Sequence, residues 1–214
     1  MMGGKFLMTG TKEKILRTAL RLFAQYGYEA VSVSAIAGEL GITKGALYRH
    51  YKNKRDIFDS IVERMCRMDV GRARKYEVPE EVFEKQPQAY RNTAVGRIRA
   101  FAEAQFRFWT TDEFARDFRR MLVLEQYGNP EMAALYQKIL AGGPVSYMED
   151  LFRELMGQGA LKKADPRLLA VEFYAPFYLL MSLADAAADE MEKAESAKLL
   201  TTHLEQFMER NATA

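Results

Sequence analysis

Apolar positions along this chain recur at helical spacing, and no run shows clean period-2 alternation with flanking turn chemistry. Residues 11–26 put Ile15, Ala19, Leu22 and Phe23 on one face; Gly27 then stands where a left-handed C′ residue belongs, and Tyr28 can fold back as its hydrophobic partner. Ser32 caps a short helix whose Val33, Ile36, Ala37 and Leu40 fall at i, i+3, i+4 and i+7. Gly41 supplies a tight reversal, Ile42 can plug inward, and Thr43 caps a second short helix through Lys44, Gly45, Ala46, Leu47 and Tyr48. Asn53 with Asp56 approximates a capping box for a fourth helix, which carries Ile57, Ile61, Val62, Met65 and Met68 inward until Gly71.

Periodicity weakens over residues 76–92, where Pro79 and Pro87 break the chain around a short helical turn at Glu80–Glu84. Helical patterns then resume: residues 94–109; a helix capped by Thr110 with Glu113 that buries Phe114, Phe118, Met121 and Leu122; and one opened by Asn129 and Pro130 that runs to Ala141. Gly142-Gly143-Pro144 interrupts before a helix to about Met156. Asp165-Pro166 opens a long helix to about Ala188, and Glu195 to Glu209 closes the series. The expectation is an all-α protein: a disordered leader over residues 1–10, a helix-turn-helix DNA-binding domain over 11–56, and a helical effector-binding and dimerisation domain over 57–214.

Composition adds little until charge is divided along the chain. The 214 residues carry a formal net charge of only +2, with 49% hydrophobic and 28% charged residues, an ordinary globular balance. Residues 1–56, however, hold ten Lys/Arg against four Asp/Glu, a net +6, and the remainder is net −4. A basic end on a mildly acidic body fits one DNA-facing end. One cysteine, Cys66, provides no disulfide framework, which fits a reducing, cytoplasmic setting. The most apolar segment, Leu168–Ala188, is interrupted by Glu172, Pro176 and Asp185, so no membrane partner is expected.

Residues 32–54, SVSAIAGELGITKGALYRHYKNK, carry the clearest chemistry. Two short helices around a Gly-containing turn describe a DNA-reading helix-turn-helix, although on the turn alone an ordinary αα-hairpin is the preferred reading. Lys44 and Tyr48 share one side of the second helix; Gly45 and Ala46 let the backbone approach base edges, and Lys44 can donate to guanine. Tyr48, His50, Tyr51 and Lys54 are better placed for phosphates, Lys54 beside the free N–H groups of a helix N-terminus.

Residues 11–65, through ILRTALRLFAQYGYEAVSVSAIA, LGITKGALYRHYKNK and the hydrophobic start of the fourth helix, closely resemble the N-terminal DNA-binding region of the TetR family of bacterial transcriptional regulators. The resemblance implies a three-helix DNA-binding head joined by helix 4 to a helical body. It also implies a homodimer on a palindromic operator, acting as a repressor released by a small molecule. Carried over by position, the DNA contacts are Ser32, Ser34, Thr43, Lys44, Gly45, Ala46, Tyr48 and His50, with Lys54 on a phosphate. Ser34, where relatives carry a longer polar or basic residue, and Ala35, in place of a common acid, depart from the pattern.

In the body, Phe101, Gln105, Phe108, Trp109, Phe118, Met121, Glu125, Tyr127, Tyr147, Phe173, Tyr174 and Phe177 are candidates to line an apolar small-molecule pocket, with Gln105 and Trp109 foremost; for any single one, plain core is the default. The last two helices are apolar on more than one face, which calls for a subunit partner. No spaced acid/base set, nucleophile–base pair or metal-ligand spacing is visible, and His50 and His203 lie far apart in sequence, so neither an enzyme nor a metal or cofactor is expected. A constitutive DNA-binding regulator or activator without an effector stays open as an alternative, and an all-α enzyme as a distant one.

Overall fold

The computed structural model describes residues 10–213, and among them the architecture is all-α. Four helices, α1 (Gly10–Tyr26), α2 (Val33–Glu39), α3 (Lys44–Tyr48) and α4 (Lys54–Lys75), form the N-terminal part. A turn-rich segment then leads through α5 (Pro87–Arg91) to α6 (Val95–Thr111), α7 (Glu113–Glu125), α8 (Pro130–Leu140), α9 (Gly142–Gly157), α10 (Pro166–Ala186) and α11 (Glu190–Asn211). The leader expected over residues 1–10 falls almost wholly outside the described residues, and Gly10 is already the first residue of α1.

The head forms as its pattern dictates. Gly27 adopts φ +86°, its N–H reaches the Phe23 carbonyl at 2.9 Å, and the Phe23 and Tyr28 rings meet edge to face at 5.1 Å. The buried stripe of α1 is wider than one face. Leu16 and Leu20 are buried together with Ile15, Ala19, Leu22 and Phe23, because α1 packs both on α2 and α4 and on α7 of the body. A helix flanked on two sides must be apolar on two sides.

Several boundaries differ from the sequence reading. Helix α4 passes through Gly71 and ends at Lys75, since one exposed glycine costs only about 1 kcal/mol within a packed helix. The short helix of the broken segment is α5, with Pro87 in its first turn, and the turn expected at Glu80–Glu84 forms slightly later, where Gln86 N reaches the Val82 carbonyl at 3.3 Å. Asp112, not Thr110, caps α7, accepting from Ala115 N at 3.0 Å; Thr110 lies inside α6 and donates to the Phe106 carbonyl at 2.8 Å. Asp189 caps α11, whose first residue, Glu190, lies five residues before the expected start at Glu195.

Helix α10 is, among the described residues, the one helix long and apolar enough by length and composition to cross a membrane, with mean hydropathy 1.3 over its window. Its composition has a local cause. Leu169, Phe173, Phe177, Leu180 and Met181 enter the core beside α9 and α11, while a second apolar stripe faces outward. Asp185, near its end, pairs with the buried Arg119 of α7 through two contacts of 2.7 Å.

The Gly142-Gly143 pair begins α9 against the end of α8, and Gly143 has no room for a side chain. A Cβ there would stand 1.9 Å from the Lys138 carbonyl oxygen. Gly143→Ala is expected to force the α8–α9 corner apart and to destabilise the fold by about 1–3 kcal/mol. Thermal unfolding checks this; a Gly142→Ala control, whose nearest contact is 3.5 Å away, should cost less.

Candidate nucleic-acid interface

Helix α3 is five residues long and cannot stand alone; its placement comes from its two ends and one buried anchor. Thr43 Oγ1 accepts from Ala46 N at 3.1 Å, as Ser32 Oγ does from Ala35 N at the start of α2. Gly41 turns the chain with φ +64°, and Ile42 N reaches the Ala37 carbonyl at 3.0 Å. Leu47 is fully buried in the head core. With that side chain fixed inward, Lys44, Gly45, Tyr48 and Arg49 are exposed together, and Ala46 and His50 are half-buried at the edges.

The polar groups of this face remain available to a ligand. Both capping hydroxyls accept from the backbone and keep their O–H free to donate to a phosphate. A Cβ at Gly45 would meet only Thr43 Oγ1, at 3.9 Å, so the fold itself accepts alanine there. Two further cations join the face, Arg49 of the basic cluster and Lys52, which had given no separate signal. Arg49 and Lys52 are exposed, and neither side chain is paired with an acid among the described residues. The run LYRHYKNK held that signal, had each cation been placed by its distance from the buried Leu47.

Of the expected phosphate contacts, Tyr51 is corrected by its burial, and Lys54 makes internal hydrogen bonds while staying partly exposed. Tyr51 is buried at 1% exposure, its hydroxyl donates to the Lys12 carbonyl at 3.3 Å, and the Lys12 ammonium sits over its ring. Burial first, then the nearby Glu13 and Asp56, hold its phenol protonated, above its ordinary range. It is a core residue, fixing α1 to the turn after α3. The Lys54 ammonium donates to the Tyr28 carbonyl at 2.8 Å and the Glu29 carbonyl at 3.3 Å and lies 4.2 Å from the Tyr28 ring centroid. It ties the α1–α2 connection to α4 with two of its three N–H groups, which leaves one for a phosphate.

The pocket candidates do not gather around one space. Phe118 and Met121 are fully buried, and Trp109, Phe173 and Phe177 nearly so. Phe173 packs with Phe152 and Phe207, Tyr174 stacks on Phe177, and Phe101 with Tyr147 belongs to a cluster around Tyr90. Tyr147 and Tyr174 donate to the Pro79 and Leu140 carbonyls at 3.0 and 2.9 Å. Gln105 and Phe108 instead hold Arg72 of α4: Arg72 Nε donates to Gln105 Oε1 at 2.8 Å, Gln105 Nε2 donates to Asp69, and the guanidinium lies 3.4 Å from the Phe108 ring centroid. Burial pulls the Arg72 pKa down. Glu125 lies away from all of these, against Gly27 of the head. Tyr127 is almost fully exposed. Two clefts, of about 380 Å³ beside Glu77, Gln86 and Arg97 and about 180 Å³ between α1 and α7, are lined by none of the candidates.

Fold and exposed face together define a helix-turn-helix protein whose small basic head rides on a larger helical body. Residues 15–61 match the family described as bacterial regulatory proteins, tetR family. The HTH-type transcriptional regulator YerO of Bacillus subtilis is 38% identical over 85 residues, covering 37% of this chain and 29% of YerO. AcrR of Shigella flexneri is 47% identical over 53 residues, a quarter of each chain. The chain thus spans under a third of the length of these relatives, and the matched part is the head. Over nearly the whole chain the fold is that of SmeT, the repressor of the Stenotrophomonas maltophilia multidrug efflux pump SmeDEF, in its triclosan complex: TM-score 0.68, 22% identity, covering 95% of this chain and 92% of that one. The head, residues 15–61, thus carries the DNA-binding domain that this family describes, and the fold of the whole chain is shared with solved regulators of that type.

Where α1, α4 and α7 meet, Glu13 accepts from both Arg64 and Arg17, and the Arg64 guanidinium lies 4.5 Å from the Phe114 ring centroid. Burial alone would raise the Glu13 pKa, but hydrogen bonds from Arg64 and Arg17 outweigh it and hold the carboxyl below its usual 4.5. A depressed carboxylate contributes stability above its unfolded pKa and loses it as pH falls through the folded one. Glu13→Gln is therefore expected to lower Tm at pH 7 by roughly 2–4 °C, and by progressively less as pH falls below about 4.5. Paired thermal melts across pH 7 to pH 3 read this.

Proposed function

We propose that the chain is a transcriptional regulator that binds a two-fold symmetric operator as a homodimer, represses transcription there, and releases the DNA when a small molecule enters the body. The carrying observation is α3: Lys44, Gly45, Tyr48 and Arg49 are exposed together on a helix anchored by the buried Leu47. Lys44 and Gly45 read base edges, and Ser32, Thr43, Tyr48, His50, Arg49 and Lys52 fix the register on phosphates. Ser34, exposed in the first turn of α2, adds a short polar contact. Such a regulator works in the cytoplasm.

The dimer reading rests on α10. Leu168, Val171, Tyr178, Leu179 and Leu183 are all exposed, and their spacing places them on one stripe opposite the buried one, with Leu199 exposed on α11. An exposed apolar stripe of this extent marks an interface, and a second copy supplies a self-complementary cover. The effector in this proposal is apolar or aromatic, in keeping with the apolar side chains that fill the body. The close packing of Phe118, Met121, Phe173 and Phe177 favours, as a second reading, a regulator without an effector.

Fluorescence anisotropy on a duplex that the protein selects from a random library tests the DNA claim. Lys44→Ala should weaken specific binding about tenfold or more. Tyr51→Phe should leave affinity intact and lower stability by about 0.5–1.5 kcal/mol, since it removes only an internal hydrogen bond. Equal affinity of wild type and Lys44→Ala contradicts the assignment. In sedimentation, the wild type should be a dimer at micromolar concentration and Leu179→Glu a monomer.

A further inference from the structure

The head is held by more than α4. Its Gly27–Glu29 turn is clasped on one side by Lys54 and approached on the other by the corner between α7 and α8. Glu125 Oε1 lies 2.5 Å from where a Cβ at Gly27 would stand, in a turn whose φ of +86° already favours glycine. Asn129, which caps α8 by accepting from Glu131 N and Met132 N, extends Nδ2 to 3.5 Å from Glu29 Oε1. One residue past Pro130, Glu131 takes both guanidinium nitrogens of Arg55, at 2.7 and 2.6 Å, while Arg55 Nε donates to Asp59 at 2.7 Å.

We infer that Glu131 is a positioning residue for DNA binding: the α7–α8 corner of the body sets the angle of the recognition head through the Arg55–Glu131 pair and the contacts at Gly27 and Glu29. The geometry favours this role in three ways. The pair is bidentate and spans 76 positions of sequence, so it fixes the direction of the head and not only its distance. Glu131 sits in the first turn of α8, where the helix dipole favours a carboxylate, and the Arg55 hydrogen bond lowers its pKa further. Both side chains are about half exposed, 52% and 53%, so the pair is screened and easily released. A contact that aligns a moving head must be specific in direction and weak in energy, and this one is both. It also gives any movement of α7 or α8 a path to the head that does not pass along the far half of α4.

This inference rests on the DNA-binding reading of α3, and its test separates the two. Glu131→Gln, Glu131→Arg, Arg55→Glu and the swap Arg55→Glu/Glu131→Arg are compared by anisotropy on the duplex selected by the wild type. Amide exchange at residues 27–30 is measured in the same proteins without DNA. Glu131→Gln should weaken specific binding by about threefold at low salt, with the difference shrinking as salt rises, and Glu131→Arg by more. The swap, which keeps net charge, should return affinity to within about twofold of wild type, and exchange at the turn should quicken in the single variants and recover in the swap. Wild-type affinity in Glu131→Gln, or a swap equal to the sum of its single changes, overturns the positioning role. If the wild type selects no sequence, the DNA-binding reading fails, and unchanged exchange at residues 27–30 then overturns the junction as well.

Discussion

Helix α4 has to satisfy two hydrophobic cores at once, and the rest of the molecule is arranged around that constraint. Its first half, through Ile57, Phe58, Ile61 and Met65, closes the head against α1. Its second half lies on α6, where Arg72 is stacked on Phe108 and tied to Gln105 and Asp69. One continuous helix of 22 residues therefore belongs to both cores. The packing of α1 on α7 and the ionic contacts at Glu13, Arg55 and Arg64 give the head two supports on the body instead of one hinge. A recognition helix of five residues gains a defined direction only from such supports.

How much of this was legible in the sequence depends on whether the signal was local. Ser32, Thr43, Asn53, Asn129 and Asp165 cap helices because a side-chain oxygen two or three residues from a free N–H is a local fact, and each was readable from the chain. Gly27 and Gly41 took positive φ for the same reason. Thr110 failed because Asp112, two residues on, competes for the same helix start and wins. Tyr51 failed because its fate depends on Lys12, 39 positions earlier, and nothing around Tyr51 reports that the ring is covered.

The candidate site divides in the same way. Lys44, Gly45, Ala46 and Tyr48 could be placed outward from the single anchor Leu47, whereas the hold that the carbonyls of Tyr28 and Glu29 have on Lys54 comes from residues 26 and 25 positions away. In the body, helical spacing identified apolar stripes correctly but could not assign them to one space. Phe173, Phe177 and Phe101 are all apolar on their helices and end in three separate aromatic clusters. Glu125, read as a polar group among apolar ones, faces the head because α7 packs against α1, a tertiary pairing that no periodicity encodes.

The central claim is that two copies of this head, held by their bodies, present α3 to successive major grooves. Hydroxyl-radical footprinting on a selected duplex tests it most directly. The account predicts two protected patches on one face of the DNA, related by two-fold symmetry and centred about 34–36 Å apart or a multiple of that spacing. A single unsymmetric patch, or protection that spreads evenly along any sequence, would contradict it.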